Sequence, residues 1–403
     1  MKKFKLHIGE PKLLKQGEPG DQTWGHYQFP RLCHTLDNRI LAAWEYGLDT
    51  TLYNAQLQKA VSADGGETWR ECTQEDIPFT GYRMPNGKYF RGFRIKGTHK
   101  VDYLDKYTPG YIGKDFNLYF TDDLNEPEDT KVWATEYDPA TGELTDFEVT
   151  VNWPFRHLMA YTHEDMKDHV YPATMVFALN NQSKMLEIDG SMYTSIYSAG
   201  FDSTAKTREE AAFKYCGYYS CYVFRSDDCG HTWDLVSQFK VDDEIFNNNP
   251  PEGRTFEGLD EPMMEVMPDG SVVILMRTGS DNPSYIARST DNCKTWSKPQ
   301  IFDRIGVYPQ ILTLNCGVTL ASYGRPSLKV RATADPTGMQ WEEPIMLIDC
   351  EETREGISCC YTKMLELDDH SVLLIHSHFQ WPHPGGDVAR AILVRRLTVE
   401  EEA

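Results

Sequence analysis

Long apolar runs are missing from this 403-residue chain. The longest, such as Ser271 to Met276, are strand-sized, far short of the ~20 residues a membrane helix needs. Cations are scarce as well. Lys and Arg total 40 against 61 Asp and Glu, a formal net charge of −21. Binding nucleic acid through a broad basic face needs clustered cations, so that class is excluded. Helical periodicity is nearly absent, with Thr207 to Phe213 the best short helix candidate. Residues Met1 to Leu14 carry lysines but no apolar segment of the secretory kind, so the expected location is cytoplasmic. The ten cysteines show no repeated spacing and read as reduced, mostly buried thiols.

What is present is a repeat. Ser62-Ala63-Asp64-Gly65-Gly66-Glu67-Thr68-Trp69 recurs as Ser226-Asp227-Asp228-Cys229-Gly230-His231-Thr232-Trp233. It recurs again as Ser289-Thr290-Asp291-Asn292-Cys293-Lys294-Thr295-Trp296, and in degraded form from Thr333 to Trp341. The physics is that of a hairpin turn. The Asp carboxylate accepts turn N–H groups, Gly or Asn supplies positive φ, and the Trp packs beneath. The spacing lacks the alternating oxygens of a calcium loop. These aspartates therefore read as folding devices.

Runs rich in Val, Ile, Leu, Tyr and Phe lie between the turns, as at Arg39 to Glu45, Met263 to Val266, Gln310 to Leu314 and Ser371 to His376. Short strands, regular turns and an internal period predict one all-β domain over residues 1–403, a six-bladed β-propeller. The expected blades are 26–78, 79–158, 159–240, 255–302, 304–349 and 353–398. A strand near Phe4 to Ile8 is expected to complete the last sheet. Phe79 to Tyr215 has no turn motif and is expected to hold two blades with long loops.

The S-x-D-x-G-x-T-W turn resembles the Asp-box, or bacterial neuraminidase repeat, of the sialidase superfamily. The resemblance runs from about Trp24 to Thr398 and implies an exo-acting glycoside hydrolase with no cofactor and no metal. Such enzymes grip a substrate carboxylate with three arginines and attack with a tyrosine helped by a glutamate; an aspartate protonates the leaving group. Leu259-Asp260-Glu261-Pro262, followed by a strand, a Pro-Asp-Gly turn and Arg277, is similar to the family segment with the glutamate and one arginine. Tyr323-Gly324-Arg325-Pro326 is similar to the segment with another. Ser358-Cys359-Cys360-Tyr361-Thr362 resembles the segment with the nucleophile. The likeness implies Tyr361, Glu261 and Asp49 as catalytic residues, with Glu45 the next acid candidate. Arg277 and Arg325 are then substrate contacts. At the first arginine the match fails: the family writes Y-R-I-P, and here stands Tyr27-Gln28-Phe29-Pro30. Arg31 is nearby, but its odd offset along a strand points it to the opposite face.

The constellation makes chemical sense on its own. A phenol has a pKa near 10 and is a poor nucleophile until a neighbouring carboxylate takes its proton. Arginine forks fit anionic or polar sugar groups. Gln28 offers one amide donor group and one acceptor, which suits a hydroxyl-bearing sugar better than a sialic acid carboxylate. The expected partner is a carbohydrate, sialic or another acidic sugar among the candidates, with neither nucleic acid nor membrane. His26 and His378 are further substrate-contact candidates. His376, His378 and His383 have the types for a metal site, but no carboxylate or cysteine lies at a matching spacing. Arg83, Arg91 and Arg94, within Tyr82 to Lys100, form a small basic patch. Two rival readings remain: a lyase-like or other sugar-modifying enzyme using Tyr361 with His378 or His26, and a non-catalytic glycan-binding propeller.

Overall fold

The computed structural model describes residues 3–47, 56–73, 76, 81–95, 99–100, 109–112, 116–120, 131–161, 169–172, 176–178, 183–249, 255–350, 352 and 356–402. Strands dominate, as the sequence predicts. One short helix, Arg208–Ala211, lies inside the expected segment, capped by the Thr207 side chain accepting from Glu210 N. Another, Asp243–Asn247, is capped by Asp242. Among the described residues no helix is long and apolar enough to cross a membrane.

The expectation of a six-bladed propeller is corrected by the strand ladders. They form hydrogen-bonded sheets of five, five, four, nine, four and four strands. Each has edge strands, two of them branch at a strand with three neighbours, and none closes on itself among the described residues. The nine-stranded sheet arises because a parallel bridge between Tyr219 and Gly258 joins two mainly antiparallel sets, the first of which also pairs Thr150–Asn152 parallel to Thr232–Asp234. The turn motif misleads here for a physical reason. It specifies a hairpin locally, but says nothing about how sheets join or close.

The Asp-box turns themselves form as read. In the first, Ser62 Oγ donates to Asp64 (2.8 Å), which accepts from Thr68 N (2.9 Å), while Trp69 Nε1 donates to the Gly66 carbonyl (3.1 Å). The second and third repeat this: Thr232 N to Asp228 (2.8 Å) and Thr295 N to Asp291 (2.9 Å). In the degraded copy Asp335 still accepts from Thr337 N (3.1 Å), and Trp341 Nε1 still donates to Gly338 (2.8 Å).

Apolar side chains pack between the sheets. Strand Val272–Ser280 is buried almost throughout, so it is covered on both faces. Strand Phe4–Ile8 alternates half-buried and exposed and pairs with the last strand, Val388–Glu401, from Phe4↔Glu401 to Ile8↔Leu397. Residues 79–215 yield a four-stranded sheet, a five-stranded sheet and three strands of the nine-stranded one.

Three strands carry irregularities that matter for the site. His26–His34 shifts register on both sides of Gln28. Thr255–Val266 shifts on both sides of Asp260, and Val307–Thr313 shifts between Val307 and Gln310. Bulges of this kind re-aim side chains and tend to lie beside functional centres.

Candidate functional site

Tyr361 lies just before strand Thr362–Asp368. Its hydroxyl donates to Glu261 Oε1, across one hundred residues of sequence. The same Glu261 oxygen takes Arg277 Nη1 at 2.9 Å, and Glu261 Oε2 accepts from Tyr308 N at 2.8 Å. Arg277 also meets Glu257 (Nη2, 3.1 Å) and lies 3.7 Å from Asp260. One buried guanidinium thus serves three carboxylates.

The electrostatics follow from that crowding. Burial alone would lower Arg277, but Glu261, Asp260 and Glu257 outweigh it and hold the guanidinium well above its ordinary value. Burial, reinforced by Glu257 and Glu261, drives the Asp260 carboxyl well up against the pull of Arg277. Burial and then Glu261 raise the Tyr361 phenol, while Arg277 and Arg325 act to lower it. The resting pair is therefore a neutral phenol donating to its acceptor. Its proton leaves only when something draws on the oxygen.

Aromatic rings frame Tyr361. Tyr308 stacks on it, with centroids 4.2 Å apart and planes 18° from parallel. Phe29 meets it edge-on at 4.7 Å. Arg325 lies with its guanidinium carbon 5.8 Å from the Tyr361 ring centre and 5.8 Å from that of Trp24. Arg325 donates to the Cys359 carbonyl (2.9 Å) and to Ser280 Oγ (3.2 Å).

The backbone here has a shared signature. Phe29 (φ 49°), Glu261 (φ 41°), Tyr308 (φ 46°) and Arg325 (φ 83°) all sit in the left-handed region. Each is followed by proline, and each touches Tyr361. Cys360, directly before Tyr361, has φ 60°. Non-glycine residues enter this region at a cost of ~1–3 kcal/mol each, and such residues cluster at functional sites. This signature is the signal that finds Tyr308, which the sequence reading missed: a bulky residue before proline near a strand start.

The remaining sequence-chosen residues are placed as follows. Gln28 is fully buried, and neither amide atom has a hydrogen-bond partner among the described residues. His26 Nδ1 is 2.7 Å from Asp21, and its ring stacks on Tyr46 at 4.4 Å. His378 Nδ1 accepts from Gln380 N (3.2 Å), and its ring meets Trp381 edge-on at 5.6 Å. His376 donates through Nδ1 to the Ser377 carbonyl (3.0 Å) and accepts from Arg395 Nε (3.2 Å), so both ring nitrogens are engaged. Asp49 lies outside the described residues.

Arg31 is aimed differently from the sequence reading. It pairs with Glu45 at 3.1 Å, and both lie within electrostatic reach of Tyr308. The two bulges in strand His26–His34 break the period of two on which a face assignment rests. Glu257, Tyr308, Phe29, Trp24 and Arg390 also belong to this neighbourhood and were not read from sequence.

A family model described as a BNR repeat-like domain matches residues 172–373, half of the chain. No curated protein matches it in sequence. Among solved structures, a protein described as of unknown function from Dyadobacter fermentans is 18% identical, with 98% of this chain and 99% of that chain covered and a TM-score of 0.57. An α-L-arabinanase of Penicillium chrysogenum, complexed with arabinobiose, is 13% identical over 97% and 98% of the two chains, with a TM-score of 0.49. A Hadza microbial sialidase is 13% identical over 93% of this chain and 65% of that one, with a TM-score of 0.47. The Dyadobacter likeness shows a shared fold. With the turn motifs formed and half of the sequence matched, the chain belongs to the BNR repeat-like family.

Proposed function

We propose that this protein is an exo-acting glycoside hydrolase in which Tyr361 attacks the anomeric carbon and Glu261 takes its proton. The observation that carries this is the partly buried hydrogen bond from the Tyr361 hydroxyl to Glu261, with Arg277 on the same carboxylate oxygen. As the phenol oxygen bonds to the anomeric carbon, its proton passes to Glu261. The glycosidic C–O bond breaks, and the leaving oxygen takes a proton from Asp49, with Glu45 the next candidate. Water then attacks the same carbon and gives its proton to the acid residue. The bond to Tyr361 breaks, and the phenolate recovers its proton from Glu261. A tyrosine nucleophile is a recognised departure from the two-carboxylate scheme.

Arg277 keeps Glu261 oriented and ready to accept a proton. Arg325, Gln28, His26 and His378 contact the sugar. The charge count favours a sugar read through its hydroxyls. Arg277 is already matched by carboxylates, and Gln28 brings an amide where the family likeness places a cation. A buried, unpartnered amide is the kind of group that a hydroxyl satisfies by giving and receiving one bond each.

The test is a screen of para-nitrophenyl glycosides of neutral sugars and of glucuronic acid, beside methylumbelliferyl sialoside, with wild type and Tyr361→Phe. Turnover by wild type that falls at least a thousandfold in Tyr361→Phe is expected. Turnover that survives in Tyr361→Phe defeats the mechanism. An unsaturated product absorbing ultraviolet light indicates a lyase, and glycan binding without turnover indicates a binding protein.

A further inference from the structure

We infer that Trp24 is a stacking platform for the ring on the leaving-group side, so that the substrate is a glycoside whose second unit is itself a ring, a second sugar. This rests on the hydrolase reading above: in an exo-acting enzyme the next ring belongs to the leaving group.

Trp24 is large, apolar and 45% exposed. Isolated exposed apolar residues are ordinary, so exposure alone decides nothing. What distinguishes Trp24 is how it is held. Arg390 is only 4% exposed, yet it spends its guanidinium on the backbone around Trp24. It donates to the carbonyls of Thr23 (2.8 Å), His26 (3.2 Å) and Gln22 (2.9 Å). Asp21 adds a second brace, accepting from Thr23 N (3.0 Å) and meeting His26 (2.7 Å). A buried arginine and a carboxylate thus fix the turn on both sides of one exposed indole.

The indole is also tied to the reacting centre. Arg390 packs over Phe379 at 4.3 Å, and Phe379 meets Trp24 edge-on at 6.2 Å. Trp24 and Tyr361 then flank the Arg325 guanidinium. This relay of flat groups runs from a buried anchor to the nucleophile, with its one strongly exposed member beside the site. Pre-ordering such a surface lowers the entropic cost of binding. A rigid indole offers a large apolar face at little loss of side-chain freedom.

The experiment uses the full chain, Trp24→Ala and Trp24→Phe. The probes are para-nitrophenyl and methyl α-L-arabinofuranosides, β-D-galactopyranosides and β-D-glucuronides. The nitrophenyl ring stands in for the second unit; the methyl group offers no ring. For a cleaved sugar, Trp24→Ala is expected to raise KM for the nitrophenyl glycoside about threefold to tenfold. Trp24→Phe should recover most of that loss. The inhibition constant of the matching methyl glycoside should move by less than about twofold. Equal changes for both probes, or loss of kcat with KM fixed, overturn the platform. If no probe is cleaved, the hydrolase reading fails separately. Tryptophan fluorescence quenched by a nitrophenyl glycoside in wild type but not in Trp24→Ala still supports the platform. Quenching that survives in Trp24→Ala, or none in either protein, overturns it.

Discussion

Left-handed backbone in the Asp-box turns and around Tyr361 makes an instructive contrast. In the Asp-box turns it falls on Gly65, Gly66, Gly230 and Gly338, or on small residues such as Cys229, Asn292 and Cys293. Around Tyr361 it falls on Phe29, Glu261, Tyr308 and Arg325, bulky or charged residues that each precede proline. Glycine adopts this conformation at no steric cost. The residue before proline is sterically restricted as well. The turns reach their geometry cheaply through local hydrogen bonds. The site reaches its geometry at a cost, and the surrounding sheets must supply it.

The acids differ in the same way. Asp64, Asp228 and Asp291 find their partners within four residues. Glu261 finds its partners sixteen, forty-seven and one hundred residues away.

The largest expected effect that probes this contrast is Arg277→Met. It leaves Glu257, Asp260 and Glu261 without their shared cation, and breaking a buried pair costs ~3–5 kcal/mol. Urea denaturation should show a loss of that order; a loss under about 1 kcal/mol would mean that the carboxylates relax elsewhere. Next comes Asp228→Ala in the second turn, expected to cost about 1–3 kcal/mol, with turnover per folded molecule unchanged. A drop in turnover would erase the distinction between the two regions.

The acid limb of stability comes third. Burial holds His376 down to about 3 and His157 to about 4, so both stay neutral in the folded chain. Unfolded histidine takes a proton below about 6.5. The unfolded chain therefore binds more protons between those values, and stability should fall as pH drops from about 6.5 toward 3. Thermal midpoints across that window should flatten in His376→Gln. Asp291, held at about 2 by Thr295 and its backbone N–H, acts lower. Its contribution is complete above about pH 4 and is lost as pH falls through 2. The smallest effect is Cys229→Gly, expected to raise stability by less than about 1 kcal/mol through relief of a left-handed side chain. A loss would mean that the cysteine's packing against the Phe90–Trp233 core outweighs its strain.

The sequence was legible wherever bonding is local. Four turns, the short helix at Thr207 and the alternating strand Phe4–Ile8 depend on neighbours within one hairpin or on a period of two. Sheet closure was not legible, because Tyr219 and Gly258 meet through packing that no turn motif encodes. At the site, the order of Glu261, Arg277, Arg325 and Tyr361 along the chain could be read. The saturation of Arg277 by three acids could not, because Glu257 has no motif of its own. Arg31 was misplaced because bulges on both sides of Gln28 undo simple alternation. Tyr308 went unread because its proline signature gains meaning only once Glu261-Pro262 and Phe29-Pro30 lie beside it.

The pairing of Phe4–Ile8 with Val388–Glu401 carries a consequence for biosynthesis. Phe4–Ile8 waits for partners that lie nearly four hundred residues further along the chain, and the same later strand carries Arg390, which reaches back to Gln22 and Thr23. On the ribosome the early segment stays an unsatisfied edge until nearly four hundred residues have been translated. The turn that holds Trp24 close to Tyr361 is fastened only then, so the surroundings of that phenol are completed late rather than growing gradually along the chain.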